Sequence, residues 1–359
     1  MVHSGYIGTY TEGSGGRAKG IYSIEFNSET GVVEDIHLAA EAINPGYLAR
    51  RGKFLYAVNE VASYGKLPTG AVSAFAVEKD KSLRFLNCKS SGATGPCHIS
   101  LSRDGAWAIV ANYSGGLLEV LPIGKDGRPG EPVQAIQFTG KGPNKVRQEK
   151  AHCHSFWFSP DYRYGFACDL GTDRIMAYRF DTKAKKPLRA AEPPFTSSAP
   201  GAGPRHGCFC PSGSHAAKLS AQYAYFLNEL DSTVDSFSYR AGVLTKTGTV
   251  SALPEGLKTE SIAAAIRISG DGRFVYTSNR GHDSIAVFKA DPAGKLGFRG
   301  TVDSGGKHPR DFAIDPSGNF LIVLNKDSDN LVVFRINQKT GALKKEREYP
   351  VFSPTALLF

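Results

Sequence analysis

Three stretches decide the fold: GPCHISLSRDGAWAIVANY at residues 95–113, SIAAAIRISGDGRFVYTSNR at 261–280 and HPRDFAIDPSGNFLIVLNK at 308–326. Each is a short alternating apolar strand, a Gly-containing turn, and a second strand that ends on Asn. Weaker copies are NPGYLARRGKFLYAVNE at 44–60, AHCHSFWFSPDYRYGFACDL at 151–170, and GPRHGCFCPSG at 203–213, which resumes as YAYFLNE at 223–229. Aligned on the apolar strand, Pro45, Pro96, Cys153, Pro204, Ala263, Pro309 and Pro354 occupy one position, with spacings of 51, 57, 51, 59, 46 and 45 residues. Self-similarity at roughly 40 to 50 residues, built from short strands and polar turns, predicts a β-propeller.

The seventh copy, SPTALLF from Ser353, stops after one strand, and the missing strands are found at the other end in GYIGTYT and GIYSIEF. A blade assembled from both ends of the chain closes a ring and leaves no sheet edge unpaired. The expectation is an all-β, seven-bladed propeller with four-stranded antiparallel blades, one domain over residues 1–359. The 40 Gly supply turns, while 21 Phe and 15 Tyr supply packing between sheets.

No apolar run is long enough to span a bilayer, and MVHSGYIGTYT lacks the charged start and apolar centre of a signal peptide. The six cysteines include no CxxC pair, so reduced thiols in a cytoplasmic protein are expected, with no membrane partner. A net charge of +9 suits acidic partners, but Lys and Arg are dispersed and no nucleic-acid motif is present. A small molecule is therefore the expected partner, and a monomer or weak homo-oligomer the expected state.

In a propeller the first strand of each blade lines the central channel. The residues after the aligned position, Gly46, Cys97, His154, Arg205, Ala264, Arg310 and Thr355, should therefore ring one mouth. The ends of the neighbouring strands should join them: Asn59-Glu60, Asn112-Tyr113, Asp169-Leu170, Asn228-Glu229, Asn279-Arg280, Asn325-Lys326 and Thr9-Tyr10. Packing positions repeat from copy to copy, whereas the mouth positions each carry a different polar group, as a binding site on a regular scaffold would. The competing reading is that these residues only cap sheet ends.

Arg205, Arg280 and Arg310 converge with His154 and His206, opposed by Glu60 and Glu229. Guanidinium groups offer planar bidentate donors and stay charged, so such a mouth fits phosphate or carboxylate. Glu229 or His154 is the candidate general base, with the arginines stabilising an oxyanion. His152 and His154 would share a strand face, but a third ligand with metal spacing is missing, so neither metal nor cofactor is expected. On a regular strand His206 would face away from Arg205. Asp169 reads as a strand-end hydrogen-bonding group, and Glu60 as a partner for an arginine.

The stretches YIGTYT, NPGYL, ANYSGG, AHCHSFWFSPD, DLGTD, GPRH, LNE, SNRG, HPRDF and SPTALLF, running from Tyr6 to Phe359, resemble the lactonase family of seven-bladed propellers. That family includes 6-phosphogluconolactonases and a carboxy-muconate lactonising enzyme. The resemblance implies catalytic roles for His154, Arg205, Glu229 and Arg280. The segment GKGPNKVRQEKAHCHS resembles the family loop before the histidine pair, which implies that Arg147 and Gln148 reach over the site. Substrate contacts are then expected from Arg147, Gln148, His152, His206, Arg310, Lys326, Glu60 and Tyr113. The implied activity is hydrolysis of a small anionic sugar lactone, most simply 6-phospho-D-glucono-1,5-lactone in glucose metabolism. A muconate-type cycloisomerase and a non-enzymatic binding module are the alternatives. The chain departs from the family pattern at HAAKLSAQ in the fifth copy and at the small residues of TESIAAAI.

Overall fold

The computed structural model describes residues 1–13, 15–211, 222–257 and 259–359. Among these residues, strands form seven four-stranded antiparallel sheets arranged as the blades of a ring. Blade one joins Val2–Thr9, Gly20–Asn27 and Val32–Glu41 to Pro354–Leu358, the closure expected from the sequence. Blade two spans Pro45–Ser90, blade three Pro96–Gln137, blade four Cys153–Ser197, blade five Pro204–Ser251, blade six Ile262–Asp303 and blade seven Pro309–Pro350. Most of the HAAKLSAQ insertion, residues 215–221, lies outside the described residues.

Burial changes from the axis outward. The second strands are buried on both faces, as in Phe320–Asn325, so they read as continuous apolar runs. The fourth strands alternate with exposed positions, as in Leu343–Pro350, where charged residues meet water. Between blades the apolar faces interlock: Ile7, Phe26 and Val33 of blade one pack on Phe320, Ile322, Leu324 and Val333 of blade seven. Each such interface is a small core; the ring closes face to face, and each blade keeps only a short inner and a short outer edge strand.

The recurrent Asn has a structural task. The amides of Asn59, Asn112, Asn279 and Asn325 donate to the carbonyls of Ile43, Ser91, Ala252 and Ser304, on the connections between blades. Asp169 does the same work as an acceptor, holding the amides of His152 and Gly171 and the Thr172 hydroxyl. The capping reading thus holds for these five residues, whereas the Asn228 amide donates to Thr233 Oγ1 within its own blade. The second member of each strand-end pair is the one presented at the mouth.

The feature that shapes the site is a β-bulge repeated in every blade. The register slips between Pro45 and Tyr47, Pro96 and His98, Cys153 and Ser155, Pro204 and His206, Ala263 and Ile266, and Pro309 and Asp311. In blade one Thr355 falls in the same slip opposite Gly8 and Thr9. The extra residue is the one expected at the mouth. A bulge leaves that residue unpaired and turns it relative to the ladder.

Candidate active site

Glu229 stands at the centre of a buried ionic cluster at the mouth. Its Oε2 accepts from Arg205 Nε at 2.7 Å and lies 3.1 Å from Arg280 Nη2, while Oε1 accepts from Arg147 Nη2 at 2.5 Å. His154 Nε2 lies 3.8 Å from the same Oε2. The Glu229 side chain is 2 % exposed, Arg205 3 %, and Arg280 and His154 8 % each. Arg147 comes from the loop before blade four and also donates to the Tyr113 hydroxyl at 3.1 Å.

Small residues on blade six make room for this cluster. Arg205 Nη1 donates to the carbonyl of Ala264, and Arg280 Nη2 to that of Ala263 at 2.7 Å. The run Ala263, Ala264, Ala265 is fully buried, so the guanidinium groups lie against bare backbone. Arg280 Nε is buried without a hydrogen-bond partner, whereas Arg205 is committed to Glu229, Ala264 and the His206 ring.

The charges set the protonation states. Burial pushes the Glu229 carboxyl up, but Arg280 and Arg205, with Arg147, hold it well below the usual carboxylate range. Burial, then the Arg205 charge, hold His154 well below the usual histidine range against the opposing pull of Glu229, so its imidazole is neutral near pH 7. Burial pulls Arg280 down to about 10, opposed by Glu229 and aided by the neighbouring arginines.

Across the mouth lies a second, more open pair. Arg310 Nη2 is 3.3 Å from Glu60 Oε2, which also accepts from the Tyr10 hydroxyl at 2.8 Å. The Arg310 guanidinium sits over the Tyr10 ring at 4.9 Å and Lys326 Nζ at 5.9 Å from its centroid, with Lys326 also 2.7 Å from Asp327. Gly46 leaves the space for this arrangement, since a Cβ there would lie 2.5 Å from Glu60 Oε2. Tyr10 was expected at the mouth but was not counted among the site residues.

Three other expectations change. His206 does not face away from Arg205: the bulge breaks the alternation, and its Nε2 lies 3.2 Å from Arg205 Nη1, with its ring 5.4 Å from that of His154. Gln148 does not reach over the site. Its side chain is spent inside its own loop, donating to Leu170 O and Asp173 Oδ1 and accepting from Asn144 N, and the residue is fully buried. His152 supports Tyr113 from behind, stacked at 4.4 Å with its ring nitrogens facing Tyr113 O and Glu149.

Below the mouth lies a second ring, the residues two after the aligned position: Tyr47, His98, Ser155, His206, Ala265, Asp311 and Ala356, of which only His206 was singled out from the sequence. The His98 ring contacts Tyr47 at 4.4 Å, Trp157 at 4.8 Å and His206 at 5.5 Å. Arg267 pairs with Asp311 at 2.8 Å further down. Only about 10 Å³ remains between the rings, lined by Gly46, Cys97, Arg205, His206, Arg310 and Asp311 among others. The channel is filled there, so a ligand of sugar size meets the mouth and goes no deeper. The residue two after the aligned Pro was the available signal.

Among the described residues no group of three or more His, Cys, Asp or Glu is placed to hold a metal ion, and no helix is long and apolar enough to cross a membrane.

Comparison with known proteins places these observations in context. The family model described as "Lactonase, 7-bladed beta-propeller" matches residues 4–359. The chain is 38% identical over 345 residues to 6-phosphogluconolactonase of Bacillus subtilis, covering 94% of this chain and 93% of that protein. It is 33% identical over 348 residues to 6-phosphogluconolactonase of Formosa agariphila, covering 95% and 94%. The solved structure of a periplasmic gluconolactonase from Pseudomonas aeruginosa superposes with a TM-score of 0.89 at 34% identity, covering 99% of this chain and 98% of that one.

Proposed function

The chain belongs to the lactonase family of seven-bladed β-propellers, and from that premise we propose that it hydrolyses 6-phospho-D-glucono-1,5-lactone to 6-phosphogluconate. The observation that carries the reading is the Glu229 carboxylate held by three arginines beside a neutral His154 at the rim of a closed channel. In this reading the enzyme is cytoplasmic and serves the oxidative branch of glucose metabolism.

His154 is assigned as the general base. Glu229 is a poor proton acceptor because both of its oxygens bind guanidinium groups. His154 takes a proton from water, the water oxygen bonds to the lactone carbonyl carbon, and the nearby Glu229 stabilises the imidazolium that forms. Arg280, whose guanidinium lies 3.1 Å from Glu229 Oε2, is assigned to the tetrahedral oxyanion. Collapse breaks the bond to the ring oxygen, and the imidazolium returns its proton to that oxygen. The product acid then ionises, releasing one proton per turnover. Arg310 and Lys326, across the mouth, are assigned to the phosphate.

The test is consumption of freshly generated 6-phosphogluconolactone, corrected for spontaneous hydrolysis, by wild type and by His154→Ala, with and without EDTA. Rapid wild-type turnover that His154→Ala loses is the expected result. A wild type that leaves the sugar lactone at its background rate while cyclising a muconate dicarboxylate would replace hydrolysis with cycloisomerisation.

A further inference from the structure

On the face opposite the mouth, blade four carries a cationic cavity that the lactonase reading does not use. It has a volume of about 420 Å³ and is lined by Arg163, Tyr164, Arg179, Phe180, Asp181, Pro187 and Arg189. Arg179 and Arg189 are direct partners across the antiparallel pair Arg174–Phe180 and Leu188–Ser197, so two like charges face each other. Among the described residues neither is in an ion pair. Arg179 has only the Tyr164 ring, 5.9 Å from its guanidinium carbon. Like charges directly opposite on a sheet destabilise it.

Two carboxylates lie nearby, and each holds a backbone amide of its own turn. Asp181 Oδ1 accepts from the Lys183 amide, capping the turn between the two strands. Asp161 holds the Ser159 hydroxyl and the Arg163 amide, with Arg163 Nε at 3.5 Å. The turn itself, DTKAKKP at 181–187, adds Lys183, Lys185 and Lys186. It is fixed from blade three: Trp107 Nε1 donates to Thr182 O, the Thr182 hydroxyl donates to Asp104, and Gln134 bonds Leu188 in both directions. The sequence from Arg179 to Arg189 therefore presents five cations against one acid on a braced turn.

We infer that this cavity is a second anion site, separate from the mouth, built for a small oligophosphate: Arg179 and Arg189 supply bidentate donors, Arg163 adds a third charge that it shares with Asp161, and Tyr164, Phe180 and Pro187 supply the walls. The inference does not depend on the lactonase reading.

Titration calorimetry with tripolyphosphate at low salt tests it, using wild type, the Arg179→Gln/Arg189→Gln double variant, and Arg280→Gln at the mouth. The double variant should lose affinity at least tenfold and keep lactonase turnover, whereas Arg280→Gln should keep tripolyphosphate binding. Without anion, Arg189→Glu should raise the melting temperature by about 1–2 °C, because an opposite-charge pair replaces a repulsive one. Undiminished binding by the double variant, or binding lost in Arg280→Gln instead, overturns the site. Displacement of tripolyphosphate by a single-stranded oligonucleotide at equal phosphate concentration overturns the choice of a small ligand.

Discussion

Glu229 and Glu60 occupy the same place in the repeat, each following the Asn that ends its blade's second strand, yet their surroundings differ. Glu229 is 2 % exposed and held by Arg147, Arg205 and Arg280, while Glu60 is 23 % exposed and meets Arg310 and the Tyr10 hydroxyl. In a dry setting a carboxylate needs several donors to exist as an ion at all, and removing one partner strands the others. In a wetter setting the same pair is worth little and is free to rearrange around a ligand. The mouth is thus divided into a rigid half suited to chemistry and an adaptable half suited to recognition.

Breaking the rigid half should have the largest effect. Glu229→Gln leaves three guanidinium groups without their carboxylate, and urea unfolding should show a loss of about 3–5 kcal/mol. A loss under 1 kcal/mol would mean that the cluster is solvated and that the two halves are alike.

Acid should damage that half next. His154, His206 and His98 are each held well below the usual histidine range by burial and by Arg205, with Arg267 adding to this at His98 and His206. The facing groups are Glu229, Arg205, Cys97, Tyr113 and His206 at His154, Arg205, Tyr47, Trp157 and the His154 and His98 rings at His206, and Tyr47, Trp157 and His206 at His98. A histidine with a lowered folded pKa stabilises the fold fully above its unfolded value near 6.5, and that contribution shrinks as the pH falls below it. Each contributes about 1.4 kcal/mol per pH unit in that window. Glu229 has the same sign in a lower window: its folded pKa is also depressed, so its contribution is fully present above the unfolded carboxylate value of about 4.3 and is lost as the pH falls below that. Stability measured from pH 7 to 5 should therefore fall steeply, and His206→Asn should flatten the slope by about one proton. An unchanged slope would assign the acid sensitivity elsewhere.

Kinetics should separate the halves more finely. Arg280→Ala should lower turnover by about 100-fold, as loss of an oxyanion donor does. Arg310→Met should instead raise KM about tenfold for the phosphorylated lactone, leaving kcat and the unphosphorylated gluconolactone nearly untouched. Equal losses of kcat in both variants would erase the division of labour.

The sequence made the ring and the mouth readable because both follow from repetition. Seven copies share one alternating pattern, and the residue after Pro45 and its equivalents is where the copies diverge. What escaped was backbone irregularity. Alternation predicts that His206 turns its back on Arg205, and only the bulge shows both facing the channel. The same slip hid the ring of Tyr47, His98 and Asp311. Gln148 shows the converse error: position in a loop over the site does not decide direction, and an amide can satisfy Leu170, Asp173 and Asn144 more fully by turning inward. Arg147, one residue earlier, is turned outward by the same local turn, in which Asn144 Oδ1 accepts from its amide.

The smallest expected effect is at Glu60. Glu60→Gln keeps an acceptor for the Tyr10 hydroxyl and loses only the charge facing Arg310, so unfolding should shift by less than about 1 kcal/mol. Arg310 is then released from its carboxylate and becomes more available to an anionic ligand. KM for the phosphorylated lactone should fall slightly, by a factor of about 2–3, with kcat unchanged. The sign carries the information. A fall in KM identifies Glu60 as a competitor for the arginine that receives phosphate, whereas a rise identifies it as the strut that holds Arg310 in place, and would make the open half a smaller version of the rigid one.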